Sequence, residues 1–399
     1  MLDSSLPVML GVASGLAMTL VWLASMAGFI LALRKLPVLH SRSYEGVPVA
    51  PPFVSVIVAA KDEERNIEAC VRSVLSQDHP GFELVVVNDR STDATPTILE
   101  RLRHEFAGRL TVLTIETLPE GWGGQNNAIR QGVKASRGEW LCFTDADCRW
   151  DSPKTLSTAF RDAQAHGADL FTLFPRMDAP TLWEKVYLPV CCLAFMMRLR
   201  IGDVNRADRP AAYANGAFML VRRSTYEALG GHERVRNQLN DDIALARLAK
   251  EGGFRLRLAG NSDLYRTRMY GSVAQAWSGW TRNFYGTLQT GRRLLGALAA
   301  TVGLFVVPWT GLLVFTALAA LHDPRFAPAA FAWGGAVLAS HLGMALIYWG
   351  FSSPVLASVL YFPAALFVTP LVGRAAVRAL RRTGLLWHGA RYGPNQANG

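Results

Sequence analysis

Cysteine is scarce in this 399-residue chain: there are five, at positions 70, 142, 148, 191 and 192, with no metal-site spacing. Their odd number, in a chain whose core is expected in the cytoplasm, points to free thiols rather than a disulfide framework. A basic stripe of the nucleic-acid type is also missing. The net charge is +10, but much of it flanks apolar segments: Arg34 and Lys35 after the first, and Arg374, Arg378, Arg381 and Arg382 after the last. That placement suits a membrane surface and excludes a nucleic-acid partner. Nor does a small-residue cleavage site precede the first basic flank, and the apolar run Leu6 to Leu33 is too long for a signal-peptide core. It is the length of a bilayer span, and Arg34-Lys35 at its end places the chain beyond residue 35 in the cytoplasm by the positive-inside rule.

Half of the residues are hydrophobic, and the excess lies at the two ends. The length admits two domains, or one domain with membrane helices. Gly296 to Leu321, Ala327 to Phe351 and Val355 to Val372 are three more membrane-length segments, the last weakened by Pro363 and Pro370. If all three cross, the basic tail lands outside, against the charge rule, so one of them is expected to lie in the interface or re-enter.

Between these ends, strands alternate with helices. Phe53 to Ala60 reads as a buried strand of the parallel type. Glu83 to Asp89, Leu110 to Ile115 and Trp140 to Thr144 come next as strands, separated by helices starting near Ile67, Ser91 and Asn126. Later strands are expected at Ala168 to Phe174, Tyr213 to Val221 and Phe254 to Ala259, and a helix at Ile243 to Glu251. This pattern predicts an α/β domain with a mostly parallel sheet. Thr181 to Arg200 is an apolar helical run, either an amphipathic helix at the bilayer interface or a core helix.

Three strand ends carry acids: Asp62 and Glu63, Asp89, and Asp145 with Asp147. Residues two apart on an extended chain point the same way, so Asp145 and Asp147 share a side. Paired carboxylates at a buried strand end are costly without a positive partner, and a divalent metal carrying a phosphorylated ligand answers that need. Taken alone, Asp-Ala-Asp also suits a turn closing a strand. Ligands of open α/β sheets bind at the carboxyl ends of strands, which brings the three acid clusters to one crevice.

Several segments together resemble the inverting, GT-A-fold glycosyltransferases of family 2, nearest the bacterial hopene-associated and carotenoid (diaponeurosporenoate) membrane enzymes. They are Val58-Ala-Ala-Lys-Asp-Glu-Glu64, Val87-Asn-Asp-Arg-Ser-Thr-Asp93, Leu118-Pro-Glu-Gly-Trp-Gly-Gly124, Thr144-Asp-Ala-Asp147, Gly216-Ala-Phe-Met-Leu220 through Gly230-Gly-His-Glu233, and Asp241-Asp-Ile-Ala-Leu245. The resemblance implies a GT-A Rossmann-like cytoplasmic domain over 53–290, with an interfacial helix near 181–200. Around it stand an N-terminal transmembrane helix (1–35), a linker (36–52), C-terminal transmembrane or interfacial helices (294–373) and a basic cytoplasmic tail (374–399). It implies a multi-pass enzyme of a bacterial-type inner membrane that moves a sugar from a nucleotide-diphosphate sugar, of the UDP type, to a lipid acceptor.

Residue by residue, the resemblance puts Ala60, Glu63 and Asp89 at the nucleoside, and Asp145 at the donor sugar and ribose. Asp147, beside Asp145, would ligate Mg²⁺ or Mn²⁺. Asp242 takes the place of the general base, with Asp241 where a Glu usually stands; a helix-capping acid pair is the alternative. Asn215, Gly216, His232, Trp280 and Arg282 fall on the acceptor or diphosphate side. For His232 and Trp280 the alternatives are a structural loop histidine and an interfacial aromatic belt.

The chain departs from the family pattern in two places. Gln125 holds the position where a Lys often follows the Gly-Trp turn, which removes a cation near the diphosphate. Gln275 is not followed by the Arg-Trp of a processive polymerase; Gly279-Trp-Thr-Arg-Asn-Phe284 stands there instead. Loss of that motif favours a single transfer over a polysaccharide synthase; a non-catalytic scaffold that only binds nucleotide sugar is supported by Gln125 alone, and retention of Asp89, Asp147 and Asp242 speaks against it.

Overall fold

The computed structural model describes residues 5–44, 52–197, 199–387 and 390–392. Parts of the expected linker and tail lie outside them. Two compact units emerge: Met1–Lys35, Ala179–Arg198 and Leu288–Arg381 form one, and Leu36–Asp178, Leu199–Thr287 and Arg382–Gly399 form the other.

The second unit is the α/β domain. Its main sheet has eight strands in the spatial order Val38–Leu39, Leu256–Asn261, Leu170–Leu173, Met219–Arg222, Trp140–Asp145, Val54–Ala60, Phe82–Asp89, Leu110–Ile115. Both faces of the central strands are covered, which is why Val54–Ala60, apolar but for the buried Ser55, and Leu84–Val87 do not alternate apolar with polar residues. All neighbours pair in parallel except Met219–Arg222, which runs antiparallel to both Trp140–Asp145 and Leu170–Leu173. This strand begins later than the Tyr213 start expected from sequence. Asn215 makes a turn instead: its Oδ1 accepts the Ala217 N–H (2.9 Å), and its own N–H goes to Thr172 Oγ1 (3.0 Å).

A second sheet was not foreseen. Its three strands, in the order Cys148–Trp150, Tyr265–Thr267, Arg176–Met177, are two or three residues long, too short to leave a periodic trace. Its central strand ends on Thr267, one of the side chains that hold Asp147.

The first unit contains helices long and apolar enough to cross a membrane: Ser5–Lys35, Gly291–Leu321, Pro324–Gly350 and Val355–Leu380. Gly11 and Gly15, one helical turn apart on the first, meet Ala327–Gly350. A methyl group at Gly15 would stand 2.8 Å from the Trp333 backbone nitrogen, so the small pair permits backbone-close packing. Val302–Val306 forms one wide π-type turn, and the Trp22 indole N–H donates to the Leu304 carbonyl there (3.0 Å). Leu182–Met196, the run left open between interface and core, belongs to this unit; it starts on a Thr181–Glu184 capping box, and the Tyr348 hydroxyl donates to its Val186 carbonyl.

Candidate active site

Four strand-end or helix-start segments build the site. Ala60 closes its strand in the core, and the loop after it is tied to the loop after Asp89. Lys61 Nζ donates to the carbonyls of Asp89 (3.3 Å) and Arg90 (3.0 Å), the Glu63 N–H to Thr95 Oγ1 (2.8 Å), and the Thr92 N–H to Asp62 Oδ1 (2.7 Å). Asp62 and Arg90 both take positive φ (56° and 55°), strain held in place by these cross-links. Glu63 accepts from Asn66 Nδ2 (2.8 Å); burial pushes its carboxyl up to about 7 against that hydrogen bond. Asp89 is buried and closed by a two-pronged pair with Arg90 (2.8 Å each).

Asp145 ends the central strand, and Asp147 sits in the turn into Cys148–Trp150. Burial raises the Asp145 carboxyl well above its ordinary value, and the charges of Asp147, Asp241 and Asp242 add to this; Arg282 opposes them. Asp147 is raised chiefly by burial, against hydrogen bonds from Thr267 (3.0 Å) and the Cys148 thiol (3.7 Å) and the charge of Arg282. Gln125, standing in the expected lysine position, donates from Nε2 to Asp145 Oδ1 (3.3 Å). The chain thus gives that carboxylate a neutral partner where a cation was expected.

Asp242 opens the Asp241–Glu251 helix. Its Oδ2 accepts the Gly216 N–H (2.8 Å) and its Oδ1 the Ile243 N–H (2.7 Å). Burial first, and then the charge of Asp241, push its carboxyl up to about 7 against those hydrogen bonds and Arg282. Gly216 is the hinge of the site: a methyl group there would lie 3.7 Å from Asp242 Oδ2 and 3.9 Å from Asp145 Oδ1. Acids almost a hundred residues apart thus face one small space.

Residues 55–230 match the family model Glycosyl transferase family 2. That match runs from the Val54–Ala60 strand of the α/β domain to the end of the helix that follows Met219–Arg222. A 4,4′-diaponeurosporenoate glycosyltransferase of Staphylococcus aureus is 23% identical over 232 residues, spanning 58% of this chain and 60% of that protein. A beta-monoglucosyldiacylglycerol synthase of Nostoc sp. is 31% identical over 255 residues, spanning 58% of this chain and 52% of that protein. The matches therefore cover less than two thirds of these relatives' own length. Among solved structures, the mannosyltransferase PcManGT from Pyrobaculum calidifontis, in complex with GDP-Man and Mn²⁺, superposes with a TM-score of 0.54 at 21% identity, covering 92% of this chain and 99% of that one. That likeness bears on the fold: a GT-A-like α/β domain with apolar helices at both ends.

The α/β domain does not place all the expected residues at the crevice. His232 is fully buried: its Nε2 is 3.0 Å from Asp241 Oδ2 and its Nδ1 2.8 Å from the Tyr226 hydroxyl. It reaches the site only through Asp241, as the back of a Tyr226–His232–Asp241 chain. Trp280 is buried in an aromatic cluster with Tyr270 and Phe284, so it is packing rather than an open wall. Asn215 orients the turn that delivers Gly216. Arg282 is half-buried, donates to Asn283 Oδ1 (3.2 and 3.3 Å), and its charge bears on Asp145, Asp147 and Asp242.

Sequence reasoning missed Thr267, which leaves no signal in a three-residue strand, and the C-terminal hairpin. The expected tail continues as a helix to Leu380 and then folds as Leu385–Trp387 against Ala390–Tyr392. Tyr392 is buried beside Gly123, and Trp387 lies under the Arg282 guanidinium at 4.1 Å.

Among the described residues, no three His, Cys, Asp or Glu side chains are grouped to hold a metal by themselves. Asp145 and Asp147 nonetheless suit a hard cation of the kind that takes one or two carboxylates and fills its remaining positions with water and substrate phosphates. Their raised carboxyls are what such an ion would relieve.

Proposed function

We propose that this chain is a membrane-bound, metal-dependent, inverting glycosyltransferase that moves one sugar from a nucleotide-diphosphate sugar to a lipid hydroxyl. The observation that carries the reading is the convergence of Asp242 and Asp145 on either side of Gly216. The lipid acceptor draws support from the relatives named for diaponeurosporenoate and diacylglycerol products, and from the apolar helices. The donor class draws support from the solved neighbour bound to GDP-Man and Mn²⁺.

In this reading Glu63, Asp89 and the chain end at Ala60 bind the nucleoside. Asp145 and Asp147 would hold Mg²⁺ or Mn²⁺, which supplies charge neutralisation at the diphosphate leaving group. Arg282 adds positive charge on the same side. The two backbone N–H groups on Asp242 fix its carboxylate, and its raised pKa makes it a proton acceptor suited to neutral pH. Asp242 takes the proton of the acceptor hydroxyl as that oxygen bonds to the anomeric carbon. The bond from that carbon to the diphosphate oxygen breaks, the electron pair leaves with the nucleoside diphosphate, and the configuration inverts. The catalytic domain would face the cytoplasm of a bacterial-type cell, where nucleotide sugars are made.

The test incubates the purified chain with lipid extract and radiolabelled UDP- or GDP-sugars, with and without a chelator. Metal-dependent label in single-sugar glycolipid is expected. Label only in free sugar, or in a long polymer, overturns the reading.

A further inference from the structure

We propose that the C-terminal hairpin is a working wall of this site, with Trp387 a positioning residue that holds Arg282 for the donor diphosphate. The inference rests on the glycosyltransferase reading and adds residues that lie beyond the family-matched segment, 55–230.

Arg282 is the cation whose charge reaches Asp145, Asp147 and Asp242 together. Its hydrogen bonds go to the neighbouring Asn283 side chain. An arginine on a helix has many rotamers, and one amide partner next door does not select the one that faces a diphosphate. Trp387 supplies the missing restraint. Its ring lies 4.1 Å from the guanidinium carbon, close enough for a cation–π contact. Covering one flat face leaves the in-plane N–H groups not spent on Asn283 for phosphate oxygens, the geometry in which guanidinium binds them best.

The hairpin's other strand is anchored at the Gly123-Gly124 turn. The Tyr392 hydroxyl lies against that turn where the Gly124–Lys134 helix begins, beside Asp89. Its ring fills the notch over Gly123, where a methyl group would lie 2.6 Å from the hydroxyl oxygen. The missing side chain at Gly123 is therefore what lets the tyrosine approach. Burial, and then the negative charge of Asp241, push the phenol up to about 12, so it keeps its proton. A wall that touches Arg282 at one end and the Gly123-Gly124 turn at the other spans the space assigned to the diphosphate.

The experiment is a double-mutant cycle read by calorimetry with UDP and GDP, together with steady-state kinetics. Trp387→Ala is expected to weaken nucleotide binding and raise the donor KM by about two- to thirtyfold, the range of a cation–π contact, with a smaller effect on kcat. Trp387→Phe should recover most of the loss. In an Arg282→Gln background, Trp387→Ala should cost nothing further. An equal loss in both backgrounds, or a phenylalanine variant no better than alanine, overturns the inference. So does a parent chain that binds neither nucleotide. A parent that binds nucleotide and shows this coupling yet transfers no sugar leaves the wall in place and overturns the transferase reading instead.

Discussion

Asp242 is the residue on which the proposed chemistry turns. An alcohol is a poor nucleophile at neutral pH, and a placed carboxylate typically contributes about 10²–10⁴-fold to removing its proton. Asp242→Asn keeps the shape of the side chain, and its oxygen can still accept the Gly216 N–H, but it accepts no proton. Turnover should fall by about that factor while donor affinity stays near the parent's, measured by radiolabel transfer and calorimetry on one preparation. Parent turnover would place the base elsewhere. The acids were legible in the sequence because strand-end carboxylates are rarely tolerated without a task. Thr267 and the Gln125–Asp145 bond were not, since a threonine and a glutamine are ordinary residues until folding brings them to a carboxylate. His232 shows the reverse: a chemically suggestive residue that folding turns inward.

Among the elements, the central strands were the most legible, because burial on both faces demands apolar runs such as Val56–Ala60 and Leu84–Val87. The antiparallel Met219–Arg222 strand and the short second sheet were not, since strand direction and three-residue pairings are decided by distant chain. Packing of the first apolar helix can be tested directly. A side chain at Gly15 meets backbone, at 2.8 Å, and no rotamer change of a neighbour clears it. Gly15→Val should therefore destabilise the apolar unit by about 1–3 kcal/mol, seen as a lower unfolding temperature in detergent. An unchanged melting curve would show that the two helices do not pack through this face.

For the whole molecule, the acid cluster makes stability depend on pH. Glu63 and Asp242 both have carboxyls raised by burial, from 4.5 and 3.8 to about 7. A raised acid binds its proton more tightly folded than unfolded, so its contribution is fully present below the ordinary carboxylate range and is lost as pH rises through about 7. With chelator and no nucleotide, the chain should melt higher at pH 5 than at pH 8, and Asp242→Asn should narrow the gap; a melting temperature that rises over that interval contradicts this. The hairpin carries a consequence of another kind, for the parity of membrane crossings. No bilayer can pass between Trp387 and Arg282. In a bilayer, the stretch from Leu288 to Arg381 would have to leave and return on one side, crossing an even number of times, although three of its helices are long and apolar enough to cross. If these helices sit in a bilayer, at least one of the three would turn back or lie along the surface. Cysteines introduced at the exposed Arg137 and Thr383 should share one response to an impermeant thiol reagent in intact cells, the native cysteines being buried. Opposite responses would separate the hairpin from the domain. A third cysteine, at Ser353, should side with them if Val355–Leu380 is the helix that does not cross, and against them if an earlier one fails to.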